Sequence, residues 1–294
     1  MTELNSDLKI WPAPAKLNLF LHITGQRSDG MHCLQTIFQI LDVSDHLQFG
    51  VNQSGKISRK TDSDIAEQDD LIVKAAQLLQ KKMGVSQGVD IWVDKQLPIG
   101  GGLGGGSSNA ATTLVALNRL WGCGLVTKEL AELGLQLGAD VPIFVHGVSA
   151  WAEGIGEQIS EIKLPKSHYV VIFPQIFVST GKIFGHSQLR RDCTTITIRD
   201  FSEELQNSGY EAAFGTVENV CEPVVRGIFP EVDMAIRELS QYAPARLTGT
   251  GACVFARFES KAAAQLAWQG LDKKWTGFVA QGVNRSSLYE IIES

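Results

Sequence analysis

The sequence has few of the features that mark secreted, membrane-spanning or zinc-binding proteins. Its five cysteines are odd in number and show no C-x-x-C spacing, so they predict free thiols rather than a disulfide framework or a zinc site. The six histidines show no paired ligand spacing, and no cluster of residues predicts a dedicated metal-binding site. No apolar run approaches the ~18 residues of a membrane span. Residues 1–10 lack the charged start and apolar centre of a secretory signal, which favours a cytoplasmic protein.

The charge balance disfavours nucleic acid as a partner. The 294 residues include 26 Lys and Arg against 32 Asp and Glu, and the net charge of −6 has the wrong sign for a polyanion. The 44% hydrophobic and 20% charged content is that of an ordinary globular chain. The net charge does not argue against an anionic metabolite as ligand, because Lys16, Arg27, His32 and Lys95 can form a local positive pocket. No pattern fixes the oligomeric state, and we expect a monomer or a weak homodimer.

Glycine, in contrast, is concentrated in one segment. This segment consists, in order, of Pro98, Ile99, Gly100, Gly101, Gly102, Leu103, Gly104, Gly105, Gly106, Ser107 and Ser108. A strand-like run from Val89 precedes it, and an apolar-periodic stretch typical of a helix follows it and ends at Gly122. Such a loop turns backbone N–H groups and the positive end of the helix dipole toward an anion. The pattern predicts a polyphosphate site, since a flexible linker would not contain Pro98 and Leu103 between ordered elements.

Two other kinds of phosphate loop fit the sequence less well. Gly100, Gly102 and Gly105 match a dinucleotide fingerprint, but no acidic residue stands at a strand end about 20 positions on. Residues 50–57 match a Walker pattern that places Ile57 where a Mg²⁺-binding hydroxyl belongs. We interpret that segment as a surface hairpin that turns at Gly55 and pairs residues 47–49 with Ile57.

The glycine loop contains no lysine, so a basic residue must reach the phosphates from elsewhere in the chain. Residues 14–21 alternate like a half-buried strand and put Lys16 and Asn18 on one face. For this pair alone, a rim salt bridge and a structural hydrogen bond are as good an interpretation as a functional site.

Two further segments are candidates for the same site. Asp140 stands between Gly138-Ala139 and an apolar run, where it can be a helix N-cap, a carboxylate held ready to accept a proton, or both. Residues 246–256 form a second Gly/Thr turn that feeds an apolar strand. Taken alone, that turn needs no function.

Together the four segments resemble the GHMP superfamily of small-molecule kinases. The matching pieces are PAKLNLFLHITGQRSDGMH (14–32), LPIGGGLGGGSSNAATTLVALN (97–118), LGADVPIFV (137–145) and RLTGTGACVFA (246–256). The resemblance implies an α+β fold of two domains, each a mixed or antiparallel sheet layered with helices, with the active cleft between them. It also implies transfer of phosphate from ATP, with Mg²⁺, to an alcohol. Ser107 or Ser108 is our candidate for a magnesium ligand.

The resemblance also implies roles for particular residues. Lys16 and Asp140 fall on the catalytic positions, with Asp140 as the base for the substrate hydroxyl and Lys16 as its charged neighbour. The alternative is that Asp140 only orients Lys16. Residues 98–108 fall on the loop that binds the ATP phosphates.

On the substrate side the resemblance is to superfamily members that phosphorylate a cytidine diphosphate alcohol in isoprenoid precursor synthesis. It implies that Asn18 and His32 hold the substrate, with His32 meeting the cytosine edge. Thr180 and Phe184 resemble the segment whose aromatic ring stacks on that cytosine. A kinase for homoserine or mevalonate, or a nucleotide-binding protein without turnover, are the alternatives.

Two positions depart from the pattern of that group. Met31 stands where a tyrosine usually lies against the cytosine, so the phenol hydrogen bond is lost. Asp70 stands where an asparagine usually lies near the adenine, and an ionised carboxylate cannot donate to a ring nitrogen. Either the backbone reads the adenine or Asp70 is turned away from it.

A polar stretch at residues 157–166 predicts a boundary between an N-terminal domain, 1–162, which carries the phosphate loop, and a C-terminal domain, 163–294. Periodicity predicts helices at 70–83, 107–121, 127–137, 201–207, 219–227, 230–241 and 261–270. Of these, residues 219–227 are expected to kink at Pro223. Strands are predicted at 16–23, 36–41, 89–93, 150–152, 169–173, 253–258 and 276–283.

Overall fold

The computed structural model describes residues 6–62 and 65–293. Within them the strands are β1 (Trp11–Gln26), β2 (His32–Asn52), β3 (Ile57–Arg59), β4 (Gly88–Asp94), β5 (Ala150–Glu153), β6 (Gln158–Glu161), β7 (His168–Phe173), β8 (Ala245–Leu247), β9 (Val254–Phe258) and β10 (Thr276–Val283). The helices are α1 (Leu71–Met83), α2 (Gly105–Leu120), α3 (Thr127–Leu135), α4 (Val141–His146), α5 (Thr180–Phe184), α6 (Ile198–Gly215), α7 (Glu222–Ile228), α8 (Pro230–Leu239), α9 (Lys261–Gly270) and α10 (Ser287–Glu293). None of these helices combines the length and the apolar content needed to cross a bilayer.

The strands form one sheet in the order β3-β4-β2-β10-β7-β9-β8, with β1 and β5 also paired to β2 and β6 paired to β5. Strand β2 is 21 residues long, so it pairs with different partners along its length. Its pairing with β10, Ile40 opposite Val283, joins the two halves of the chain. The helices pack on this mixed sheet, which confirms the predicted α+β class.

Each half has its own apolar core, and a third cluster lies between them. Helices α1 to α4 bury one core against β2 and β4, and α7 to α9 bury another against β7 and β9. The third cluster combines Leu17 and Phe20 of β1 with Val171 of β7 and Phe255 of β9. Strand β1 therefore lies where the halves meet, which places the other face of that strand beside the cleft. The boundary at 162/163 stays a prediction.

The hairpin predicted for residues 50–57 is wrong. Strand β4 occupies the edge of β2 from His46 to Asn52, so β3 cannot pair there. It pairs in parallel with the far edge of β4 instead, Ile57 opposite Val89. The turn at Gly55, with φ of 73°, is present, but it leads the chain away from β2.

The kink predicted at Pro223 is also wrong. Pro223 lies in the first turn of α7, which begins at Glu222. A proline in that position loses no helical hydrogen bond, because the first N–H groups of a helix have no acceptor within it. The residue therefore starts a helix rather than bending one.

Candidate active site

A cleft of about 1480 Å³ opens between the two halves. From the first half it is lined by Lys16, the glycine loop and Asp140, and from the second by Thr180, Phe184 and Gly249. The four segments singled out in the sequence therefore contribute to one cavity. A cavity at the junction of two halves is a common place for small-molecule sites.

The glycine loop lines this cleft and leads into α2. Gly102 and Gly104 have φ of 77° and 74°, in the left-handed region. A Cβ on Gly104 would lie 2.7 Å from Cζ of Phe144, and one on Gly102 would lie 2.8 Å from the carbonyl oxygen of Thr248. Both positions therefore require glycine on two grounds, conformation and space.

Backbone hydrogen bonds fasten the loop to the other segments. The N–H of Lys16 donates to the carbonyl of Leu103 at 3.0 Å. The N–H of Cys253 donates to the carbonyl of Gly101, also at 3.0 Å. The first tie joins the loop to β1 and the second joins it to the turn before β9. This explains why the Gly/Thr turn at 246–256, which has no required role in the sequence alone, belongs to the site.

The Lys16 ammonium lies beside the loop with three acceptors around it. Nζ donates to Oδ1 of Asn18 at 2.6 Å and to the carbonyl of Gly102 at 2.9 Å, and it lies 3.2 Å from Oδ2 of Asp140. The lysine side chain is 3% exposed, whereas that of Asp140 is 37% exposed. A buried cation is thus matched by a carboxylate that still reaches the open cleft.

Asp140 occupies the N-cap position of α4, but its side chain accepts no capping hydrogen bond. Pro142 stands in the first turn, where a missing N–H costs nothing. Position in the chain therefore agrees with the N-cap interpretation, while the side chain is committed to Lys16. A carboxylate beside a cation in a cleft has the geometry of a proton acceptor or of an orienting group.

The Asn18 side chain is held on both of its polar atoms. Oδ1 accepts from Lys16, and Nδ2 donates to Oγ1 of Thr36 at 3.0 Å. Its own N–H donates to Oγ1 of Thr248 at 2.9 Å. Asn18 therefore orients the ammonium of Lys16. Its contact with the substrate stays a prediction.

Three of the predicted substrate residues, His32, Thr180 and Phe184, also line the cleft. The rings of His32 and Phe184 stack with centroids 5.3 Å apart and planes inclined by 20°. Oγ1 of Thr180 lies 3.0 Å from Oγ1 of Thr250, which joins α5 to the Gly/Thr turn. Burial first, and Arg191 second, lower the pKa of His32 from its ordinary value. The imidazole is therefore neutral near pH 7.

Sequence reasoning missed two groups at the site. Arg191 donates from Nε to Nε2 of His32 at 3.1 Å, and no motif pointed to it. Asp45, which is fully buried, forms an ion pair with Lys95 and accepts from the N–H groups of Gln96 and Leu97 at 2.8 Å each. These bonds fix the start of the glycine loop. Asp45 lies in β2, 50 positions before Lys95 in the chain, so only the pairing of β2 with β4 reveals the contact.

Three other residues named from the sequence are also located. Asp70 caps α1 by accepting from the N–H of Ile72 at 2.9 Å and pairs with Arg59 at 2.6 Å, so both carboxylate oxygens are occupied. Met31 is 46% exposed at the cleft. Arg27 pairs with Asp29 on the surface rather than joining the positive pocket.

Fold and site together define a GHMP kinase. The family model described as "GHMP kinases N terminal domain" matches residues 70–148, which contain the glycine loop and Asp140. The model described as "GHMP kinases C terminal" matches residues 196–277, which contain the Gly/Thr turn.

Similar proteins narrow this class. Proteins of Nitrosococcus oceani and Alkalilimnicola ehrlichii, both named 4-diphosphocytidyl-2-C-methyl-D-erythritol kinase, are 50% and 55% identical to the chain. The first match covers 97% of this chain and 98% of the relative, and the second covers 95% and 92%. A crystal structure of 4-(cytidine 5′-diphospho)-2C-methyl-D-erythritol kinase, 29% identical, superimposes with a TM-score of 0.77 over 94% of this chain and 100% of that one. The chain belongs to the family of these relatives, the 4-diphosphocytidyl-2-C-methyl-D-erythritol kinases.

Proposed function

We propose that this protein transfers the γ-phosphate of ATP to the 2-hydroxyl of 4-diphosphocytidyl-2-C-methyl-D-erythritol, giving the 2-phosphate and ADP, in the synthesis of isoprenoid precursors. One observation carries the proposal. The ammonium of Lys16 and the carboxylate of Asp140 lie 3.2 Å apart in a cleft that the glycine loop also lines. Relatives at 50% identity and more carry the name of that kinase.

Residues 98–108 are our proposed ATP-phosphate site. Their backbone and the N-terminus of α2 supply N–H groups and a positive dipole end, which favour an anion. The loop has no lysine of its own, but Lys16 and Lys95 both line the cleft. Lys16 comes from β1, distant in the chain, as the sequence predicts for this class of loop, whereas Lys95 shortly precedes the loop.

Mg²⁺ is proposed as the companion of ATP, held mainly by phosphate oxygens and water. The described residues contain no group of three or more His, Cys, Asp or Glu arranged to hold a metal ion. Ser107 lines the cleft in the first turn of α2, whereas Ser108 is fully buried. Ser107 is therefore the better of the two proposed ligands. The ion would neutralise charge on the phosphates.

Catalysis by this chain consists of positioning and proton handling. The acceptor hydroxyl must approach the γ-phosphate in line, beside the carboxylate of Asp140. Asp140 then takes the proton as the hydroxyl oxygen attacks phosphorus, and Lys16 stabilises both the carboxylate and the phosphoryl oxygens. If Asp140 only orients Lys16, the proton leaves to phosphate instead.

The substrate-binding roles of Asn18, His32, Thr180 and Phe184 are part of the same proposal. The stacked rings of His32 and Phe184 supply an aromatic surface and a ring nitrogen for the cytosine. A cytoplasmic location, a monomer or weak homodimer, and the absence of a nucleic-acid partner stay predictions.

A coupled assay of ADP release tests the proposal. Purified protein with ATP and Mg²⁺ should turn over the cytidine diphosphate alcohol and neither homoserine nor mevalonate. Turnover of homoserine or mevalonate in place of that alcohol would overturn the proposed substrate. Nucleotide binding without turnover on any of them would overturn the proposed enzyme.

A further inference from the structure

Arg191 is held in one orientation by a set of fixed acceptors. Its Nη2 donates to the carbonyls of Phe184 and His186 at 2.7 and 2.9 Å, and its Nη1 donates to the carbonyl of Leu189 at 3.0 Å. The first of these carbonyls belongs to the last residue of α5, and the other two belong to the segment that follows it. The planar guanidinium cannot rotate without losing all three bonds, so Nε is aimed at a fixed point.

That fixed point is Nε2 of His32, 3.1 Å from Nε of Arg191. An arginine Nε carries a proton at every accessible pH and can only donate. Nε2 of His32 must therefore be the acceptor, which leaves the proton of the neutral imidazole on Nδ1. The ring itself is held flat against Phe184.

We propose that Arg191 is a positioning residue that locks His32 in the Nδ1–H form and thereby makes the site select cytosine over uracil. The selectivity part rests on the proposed function, because it takes His32 as the group that meets the pyrimidine. The tautomer part rests on the contacts of Arg191 alone.

The two bases differ at the ring atom that such a donor would meet. N3 of cytosine is an acceptor, whereas N3 of uracil carries a proton and donates. With Nε2 occupied by Arg191, Nδ1 is the ring nitrogen that remains for a base in the cleft, and it presents a donor. It pairs with cytosine N3 and faces the N3–H of uracil donor to donor. A site that positions a donor for one hydrogen bond discriminates strongly against a ligand that cannot accept that bond.

The tautomer is measured directly by ¹⁵N NMR of the ligand-free protein labelled at histidine, at pH 8, with the His32→Gln variant used to assign the signal. The spectrum of His32 should show a protonated Nδ1 and an unprotonated Nε2. In Arg191→Met, which keeps the length of the side chain but has no donor, Nε2 should become the protonated nitrogen in part of the population. A wild-type His32 that carries its proton on Nε2 would overturn the proposal, whether or not the variant folds.

Selectivity is measured as the ratio of Kd values for uridine diphosphate and cytidine diphosphate, and as the matching ratio of kcat/KM for the two diphosphate alcohols. Arg191→Met should lower both ratios by about 10-fold or more, raise KM for the cytidine substrate and leave KM for ATP unchanged. The matched control is Arg190→Met, which removes a neighbouring guanidinium that pairs with Glu218 and is exposed. The control should keep the wild-type ratios.

The two failures are distinguishable. A wild-type protein that is inactive on the cytidine alcohol contradicts the proposed function, and the Kd ratios still decide the selectivity. An active wild-type protein whose ratios are the same in Arg191→Met contradicts the present inference alone.

Discussion

The Lys16 ammonium has an acceptor for each of its three protons: an amide oxygen, a backbone carbonyl and the Asp140 carboxylate. A phosphate oxygen that reaches Nζ must replace one of them. Asn18 Oδ1 and the Gly102 carbonyl are held by the fold, whereas Asp140 is more exposed than its partner. We therefore expect the carboxylate of Asp140 to move away from Nζ of Lys16 when the substrates bind. In its new position it would lie beside the acceptor hydroxyl.

Replacement of Asp140 separates its two possible roles. Asp140→Ala should lower kcat about 10²–10⁴-fold, because a positioned base typically contributes that much, and should change KM little. Asp140→Asn keeps an oxygen that can accept from Lys16 but cannot take a proton. Equal losses in both variants, measured by steady-state kinetics, identify the base. Near-wild-type turnover in Asp140→Asn would identify an orienting group, and near-wild-type turnover in Asp140→Ala would remove the residue from the mechanism.

The pKa of His22 makes folding depend on pH. The side chain is 7% exposed, and its Nε2 accepts from the N–H of Glu218 at 3.4 Å. Burial is the largest cause that lowers its pKa below the ordinary 6.5; Glu218 opposes this and Arg190 adds to it. The unfolded chain therefore binds a proton more readily than the folded one near that pH. The folded state is therefore at its full stability, as far as His22 is concerned, above pH 6.5, and it loses stability as the pH falls below that value.

We expect the urea midpoint to rise between about pH 5 and pH 7, and His22→Gln to flatten that rise. His32 and His146 also have lowered pKa values and act in the same direction, so the variant should keep part of the slope. A variant with the wild-type slope would show that His22 does not titrate with folding.

At the scale of the element, close packing against neighbouring side chains distinguishes the glycine loop from other turns that contain glycine. Gly104 and Gly124 have nearly the same φ, 74° and 72°, but a Cβ would meet the buried Phe144 ring at Gly104 and nothing within 4 Å at Gly124. Gly124→Ala therefore measures the conformational cost alone, about 1–2 kcal/mol. Gly104→Ala adds a clash with a ring that is 1% exposed.

Gly104→Ala should destabilise the protein by clearly more than Gly124→Ala in urea unfolding, and it should raise KM for ATP. Gly124→Ala should leave KM for ATP unchanged. Equal effects of the two variants on both quantities would show that Phe144 yields and that the close packing of the loop has no part in nucleotide binding.

Local patterns in the sequence predict the elements near the loop well. The helix after it, the strand before it and the strand that carries Lys16 follow from periodicity and from glycine and proline positions. The pairing of β3 with β4 could not be predicted in this way, since it depends on which strand occupies an edge. The place of Pro223 in the first turn of α7 could not be predicted either, because periodicity does not fix the residue at which a helix begins.

The residues of the candidate site also fall into two groups, those that a local pattern predicts and those that depend on a distant partner. Lys16, Asp140 and the loop stand out because a charge or a run of glycines is unusual in its local context. Arg191 and Asp45 do not stand out, because each matters only through a partner 159 or 50 positions away. A guanidinium that meets backbone carbonyls leaves no pattern in a single sequence.

At the scale of the whole molecule, the end of the described chain returns to the first half. After β10 pairs with β2, Ser149 and Gly147 exchange backbone hydrogen bonds with Asn284 and Ser286 at 3.1 and 2.8 Å. The hydroxyl of Tyr289 donates to the carbonyl of Val145 at the end of α4. The C-terminal segment thus holds the helix whose first residue follows Asp140.

Leu288 is the apolar anchor of this return, 1% exposed in the core of the first half. Leu288→Ala should lower the free energy of unfolding by about 2–5 kcal/mol, because it leaves a cavity among packed side chains. The matched control is Leu266→Ala on α9, where the side chain is 71% exposed and the expected change is within about 0.5 kcal/mol. Urea unfolding with an unchanged m-value measures both. If Leu288→Ala were as stable as the control, α10 would not be fastened to the first half, and its support of α4 and Asp140 would fall with it.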